Sequence, residues 1–159
     1  MKAKLLIPAL FGTMITGLVL MSTSGCSKGG FNSKPELSFK KSNSDVFFSG
    51  SLVEIILQVR DKEGDLEGTL YVEKVSKTGC LTYFTPVEYK MPGAAGTRNL
   101  DAEIIVNFEY GPGPGIYPPV VTQCPSPRDD STFFRFWIKD EAENISDTVE
   151  TPVLVFLKP

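Results

Sequence analysis

The chain is expected to fold as an all-β domain, and three features of the sequence predict it. Short β-rich runs recur along the chain, separated by clusters of Gly, Pro, Asn, Asp and Ser. The best of these runs alternate apolar and polar residues, the pattern of a half-buried strand. No segment sustains the apolar period of a helix, and no internal repeat points to a solenoid or propeller. The architecture this predicts is a sandwich or barrel.

Glu36–Lys40 and Val46–Ser49 open the domain as short runs bounded by Ser and Asn. Leu52–Arg60 is the most regular strand, with Val53, Ile55, Leu57 and Val59 on one face. Asp61–Glu67 is a loop of acids and glycine. Thr69–Lys77 places Leu70 and Val72 inward, and Leu81–Met91 continues the beat. In Asn99–Tyr110, Ile104, Val106, Phe108 and Tyr110 alternate with Glu103, Ile105, Asn107 and Glu109. Thr132–Lys139 puts Phe134, Phe136 and Ile138 on one face, and Phe133, Arg135, Trp137 and Lys139 on the other. Asp140 to Asp147 turns the chain over. Thr148–Lys158 closes the domain with Val153, Val155 and Leu157 inward, and Leu154 and Phe156 between them. A chain of this length buries one core of ordinary size, so the fold need not depend on a disulfide.

Residues 111–130, GPGPGIYPPVVTQCPSPRDD, interrupt the pattern. Six prolines and three glycines argue against a regular strand. The stretch reads as a rigid spacer over one end of the domain, or as a partner-binding tip carrying Ile116, Tyr117 and Val120.

The N-terminus is expected to be a targeting segment. Lys2 and Lys4 precede an apolar run from Leu5 to Leu20, and small residues lead to Cys26. The run is shorter than the roughly twenty residues that span a bilayer. Small residues ending at a cysteine resemble a lipobox, which implies cleavage after residue 25 and a lipidated Cys26. Thr23 stands where that motif commonly has leucine. Residues 1–25 are then a lipoprotein signal peptide and 26–35 a tether, which spans roughly 30 Å when extended.

Charge and composition exclude several functions. Removing residues 1–25 takes away two lysines and no acid, so the net charge moves from −3 to −5. An acidic domain without a basic cluster has no footprint for nucleic acid. The chain has no histidine, which excludes serine–histidine and cysteine–histidine catalysis and histidine metal sites. With Cys26 taken by lipid, Cys80 and Cys124 remain as an even pair in an exported domain, the setting for a disulfide.

The closing segment, residues 131–157, resembles the last hairpin of bacterial immunoglobulin-like repeats: a strand, an Asp-x-Ala-Gly-Asn-x-Ser turn and a final strand. Asp140, Ala142, Asn144 and Ser146 match, and Glu143 stands in place of the glycine. The resemblance covers residues 36–158 and implies a single immunoglobulin-like antiparallel β-sandwich. That topology puts the loop after Leu52–Arg60 and the closing loop at one pole. Asp61, Glu63, Asp65, Asp140, Glu141 and Asn144 are then candidate ligands for calcium, which takes oxygen donors. The competing reading is turn chemistry, in which Asx side chains satisfy local backbone groups. The same topology sends Cys80 and Cys124 to the opposite end, where they are expected to pair.

Tyr71 and Trp137 are expected side by side on the sheet exterior. They form either a ligand platform for a sugar or protein, or a packed strip with Arg135 and Lys139 against the rings. The expected function is a non-enzymatic binding or structural module, lipid-anchored at the cell envelope, on the outer membrane, with a protein or glycan partner, no certain cofactor, and calcium as a candidate ion only. The alternatives are a carbohydrate-binding accessory module using Trp137 and Tyr71, and a hydrolase using paired carboxylates.

Overall fold

The computed structural model describes residues 33–80, 86–91, 98–120, 124 and 127–158. The expected signal segment, Cys26 and the expected tether as far as Asn32 lie outside these residues, as does the Leu81–Thr85 half of one strand candidate. The strands are β1 (Glu36–Ser42), β2 (Val46–Phe47), β3 (Ser51–Asp61), β4 (Thr69–Ser76), β5 (Val87–Lys90), β6 (Leu100–Tyr110), β7 (Pro119–Val120), β8 (Asp130–Lys139), β9 (Val149–Glu150) and β10 (Leu154–Phe156). One sheet has the order β1-β3-β6-β7. The other runs β2-β10-β8-β4-β5, with β9 also paired to β8.

The alternation read from the sequence fixes the core. Val53, Ile55, Leu57 and Val59 of β3 are buried, as are Val106, Phe108 and Tyr110 of β6. Against them lie Leu70 and Val72 of β4 and Phe134, Phe136 and Ile138 of β8. Phe108 stacks on Phe134 with ring centroids 5.3 Å apart, and Tyr110 meets Phe156 edge-on at 5.0 Å. These contacts join the two sheets, so the arrangement is compatible with a β-sandwich.

The closing strand departs from expectation. It splits into β9 and β10, and its inward face is the opposite one. Val149 pairs with Phe136 and Glu150 with Arg135, but Leu154 then pairs with Thr132 and Phe156 with Asp130, one residue out of step. Between the two, Thr151 still points inward: its amide donates to the Phe134 carbonyl and its hydroxyl accepts from the Phe134 amide. Pro152 has no N–H to continue the ladder. One extra residue on this side flips everything after it. Leu154 and Phe156 are therefore buried, whereas Val153 is 39% exposed and Val155 half-buried.

Two pairings are also parallel rather than antiparallel, β2 with β10 and β6 with β7. The proline-rich stretch supplies β7, where Pro119 sits on an edge that needs no donor. The loop before it is organised by Glu109, an outward-facing residue of β6 that is nevertheless buried. Its carboxylate accepts from the amides of Gly115, Ile116 and Tyr117. Burial alone would raise the Glu109 carboxyl, but these three donors hold it below the usual glutamate range.

The expected disulfide is present: Cys80 and Cys124 are bonded, with Cα atoms 4.1 Å apart. Beside it Asp130 is buried, accepting from Ser76 (2.6 Å) and Thr78 (2.9 Å) on one oxygen and from Lys74 (2.5 Å) on the other. Thr78 in turn contacts the Cys80 sulfur at 3.3 Å. Desolvation pushes the Asp130 carboxyl up, but Lys74 and the two hydroxyls outweigh it and leave it below the ordinary 3.8.

Two outcomes test this account. In urea denaturation, Leu154→Ala and Phe156→Ala should each cost about 3–5 kcal/mol, and Val153→Ala less than about 1 kcal/mol; equal losses would restore the unshifted phase. Asp130→Asn leaves Lys74 without its partner and should cost about 3 kcal/mol at neutral pH. Because the folded carboxyl titrates lower than the unfolded one, this contribution is present above the ordinary value of 3.8 and lost as the pH falls through the folded value. The wild-type advantage over Asp130→Asn should therefore shrink in acid, measured by denaturation midpoints from pH 7 to pH 2.

Candidate functional site

The end of β3 and the end of β8 meet at one pole. Asp61 continues the inward phase of Val53 to Val59, and Asp140 that of Phe134 to Ile138, so both carboxylates come from the core faces of their strands. Gly68 holds the two loops together. A Cβ there would lie 1.7 Å from the Lys139 carbonyl oxygen, so only glycine permits the approach. The amide of Glu141 donates to the Asp65 carbonyl across the junction.

Carboxylate oxygens of Asp61, Asp65 and Asp140 all lie within 4.8 Å of one another. Asp61 is 1% exposed, Asp140 is also buried, and Asp65 is half-buried. Turn chemistry accounts for part of the arrangement. One oxygen of Asp61, Oδ2, accepts from the amides of Gly64 (2.5 Å) and Asp65 (3.2 Å). Both oxygens of Asp140 accept from Asn144, one from its amide and one from its side-chain Nδ2. Asp61 Oδ1 and Asp65 Oδ1 are buried with no hydrogen-bond partner. Burial pushes the Asp61 carboxyl above its usual range, and the Asp65 carboxylate beside it pushes the same way, against the two amide donors.

Of the six ligand candidates, the structure brings Asp61, Asp65 and Asp140 together. Asn144 is tied to Asp140, and Glu63 and Glu141 are exposed and outside the cluster. What the sequence reading missed is Gly68, for which no motif exists, and the burial of Asp61 and Asp140, whose phase with the core residues was the available signal.

The closing turn explains the Glu143 substitution. Glu143 has a φ of 68°, the left-handed conformation that glycine adopts freely. Lys139, four residues earlier, pairs with its carboxylate at 2.9 Å and holds it below its usual range.

On the exterior of the second sheet Tyr71 and Trp137 are directly paired across β4 and β8, their rings 5.3 Å apart and parallel to within 2°. Each ring therefore gives one face to the other. Trp137 also borders a groove of about 550 Å³ lined by Glu73, Arg135, Ile145, Thr148 and Glu150. The basic neighbours do not pack on Trp137 as expected. Arg135 lies over the Phe133 ring, as does Lys77, and it is paired with Glu150 and Glu73. Lys139 goes to Glu143.

No protein-family model matches the chain, and neither does any curated protein or solved structure.

A left-handed backbone costs an ordinary residue roughly 1–2 kcal/mol, while an exposed ion pair typically contributes less than 1 kcal/mol. Glu143→Gly is thus expected to raise the melting temperature by a few degrees in spite of losing the pair with Lys139, and Glu143→Val to lower it. Calorimetry on the purified protein checks both signs.

Proposed function

We propose that the protein is an exported lipoprotein, anchored to the cell envelope through a lipidated Cys26, whose immunoglobulin-like domain is a non-enzymatic binding or structural module. The observation that carries this reading is the Cys80–Cys124 disulfide in a chain whose residues 1–25 have the form of a lipoprotein leader. The strand order supports the immunoglobulin-like part. β1-β3-β6 in one sheet and β10-β8-β4-β5 in the other correspond to the two sheets of that topology, with the β3–β4 and β8–β9 loops sharing one end.

Two features favour binding or architecture over catalysis. The chain has no histidine. Among the described residues, the one carboxyl pushed above its usual range, Asp61, is 1% exposed, whereas a general acid must reach its substrate. Tyr71 and Trp137 give one ring face each to the other and are only half-buried, so the second faces are what a protein or glycan partner would meet. β1 begins opposite Arg60, beside the acidic pole, so the chain enters the domain there. A tether of about ten residues from Cys26 would keep that pole within roughly 30 Å of the membrane, on this reading the outer membrane.

Cys26→Ser should move the protein from the membrane pellet to the soluble fraction of fractionated cells, with the disulfide still formed. Unchanged retention in the pellet would exclude Cys26 as the anchor.

A further inference from the structure

We propose that the acidic pole binds one calcium ion through the carboxylates of Asp61, Asp65 and Asp140. Asp61 and Asp140 arrive from the ends of different strands, and Asp65 from the loop that Gly68 presses against β8. Two ligands about 2.4 Å from one ion can be no more than about 4.8 Å apart, and the three side chains each offer an oxygen inside that limit.

The second observation is the state of Asp61. Its side chain is 1% exposed, and one of its two oxygens has no donor within the fold. Asp65 Oδ1, beside it, is likewise buried and unpartnered. Elsewhere in the described residues, the buried acids Glu109 and Asp130 have donors on both carboxylate oxygens, and within the pole Asp140 is held on both by Asn144. An unpartnered buried carboxylate oxygen close to a second carboxylate costs stability unless a proton or a cation is shared between them. The turn bonds on Asp61 Oδ2 and on Asp140 aim the carboxylates but leave these two oxygens without a role.

Calcium fits the donor chemistry. All three ligands are carboxylates, with no imidazole or thiolate among them, which selects a hard cation over zinc or copper. Calcium also accepts an irregular oxygen shell completed by water, where magnesium requires a near-ideal octahedron. Glu63 and Glu141, exposed at the rim, add negative potential that draws a cation in. The site stands on the geometry of the pole and is independent of the lipid anchor, so a Cys26→Ser protein should bind calcium like the wild type.

The test is calorimetric titration of calcium chloride into the purified, oxidised, full-length protein in detergent, with melting temperatures in EDTA and in 10 mM calcium. One site with Kd on the order of 0.1–1 mM is expected, the range of extracellular calcium modules. The melting temperature should rise by roughly 5 °C at 10 mM calcium. Asp65→Asn, at the half-buried position least disruptive to folding, should weaken binding more than tenfold. It should also melt no lower than wild type in EDTA, yet below it in calcium. Asp61→Asn should behave the same way. A folded wild-type protein with no binding heat and equal melting temperatures in both buffers would overturn the proposal. So would undiminished binding by Asp65→Asn and Asp61→Asn, or a response to magnesium but not calcium.

Discussion

The fold depends on the inward face of β8. Phe134 touches Phe108 of the opposite sheet, Phe136 beside it in β8, and Phe156 of β10, so one residue joins three strands and both sheets. Phe156 extends the seam to Phe47 and Tyr110. Tyr110 can enter this apolar seam because its hydroxyl donates to the Leu157 carbonyl at the domain edge. Fully burying each ring contributes roughly 1.5–3 kcal/mol, so this seam outweighs any of the exposed ion pairs on the sheet exteriors. The Cys80–Cys124 bond lies at one end of the structure and staples a core that already spans both sheets.

Four buried acids mark where strands become loops: Asp61 ends β3, Glu109 nears the end of β6, and Asp130 and Asp140 bracket β8. A carboxylate at a strand end can accept several amide donors that the following loop would otherwise leave unpaired. Glu109 gathers three consecutive amides of the Gly-Pro loop, giving order to a segment whose composition alone would not provide it. Asp130 does the equivalent with two hydroxyls and an ammonium. Asp61 differs, because its loop satisfies only one of its oxygens, and that contrast separates the acidic pole from ordinary turn chemistry.

Much of the core was legible because a strand's side chains alternate rigidly. The faces of β3, β6 and β8 follow directly from Val53 to Val59, Val106 to Tyr110 and Phe134 to Ile138. The same alternation failed in the closing segment, since a single extra residue around Thr151–Val153 reverses every face beyond it and no residue type announces a bulge. Phe47, Leu66 and Met91 joined the core from short or irregular segments where no period exists to be read. Glu109 was placed on the correct face, but its burial comes from a loop folding back over it, a tertiary event invisible to periodicity. At the candidate site, the meeting of the two acidic loops was legible through topology. Which acids converge was not, because it turns on the tight approach at Gly68.

The two ends of the domain consequently differ in kind. At the end holding Cys80, Cys124, Asp130 and the Glu109 nest, both oxygens of these two buried carboxylates have donors, and the C-terminal segment is tied down as Lys158 donates to Asp129. At the other end the chain enters beside Asp61, and Lys34 reaches Asp147 only through an exposed pair of little energetic weight. Asp61 and Asp65 there keep buried oxygens without donors. A domain built for stability alone would gain from replacing one of these carboxylates by an amide. Retaining both acids against that gradient makes physical sense if the pole's full stability is reached only with a cation in place.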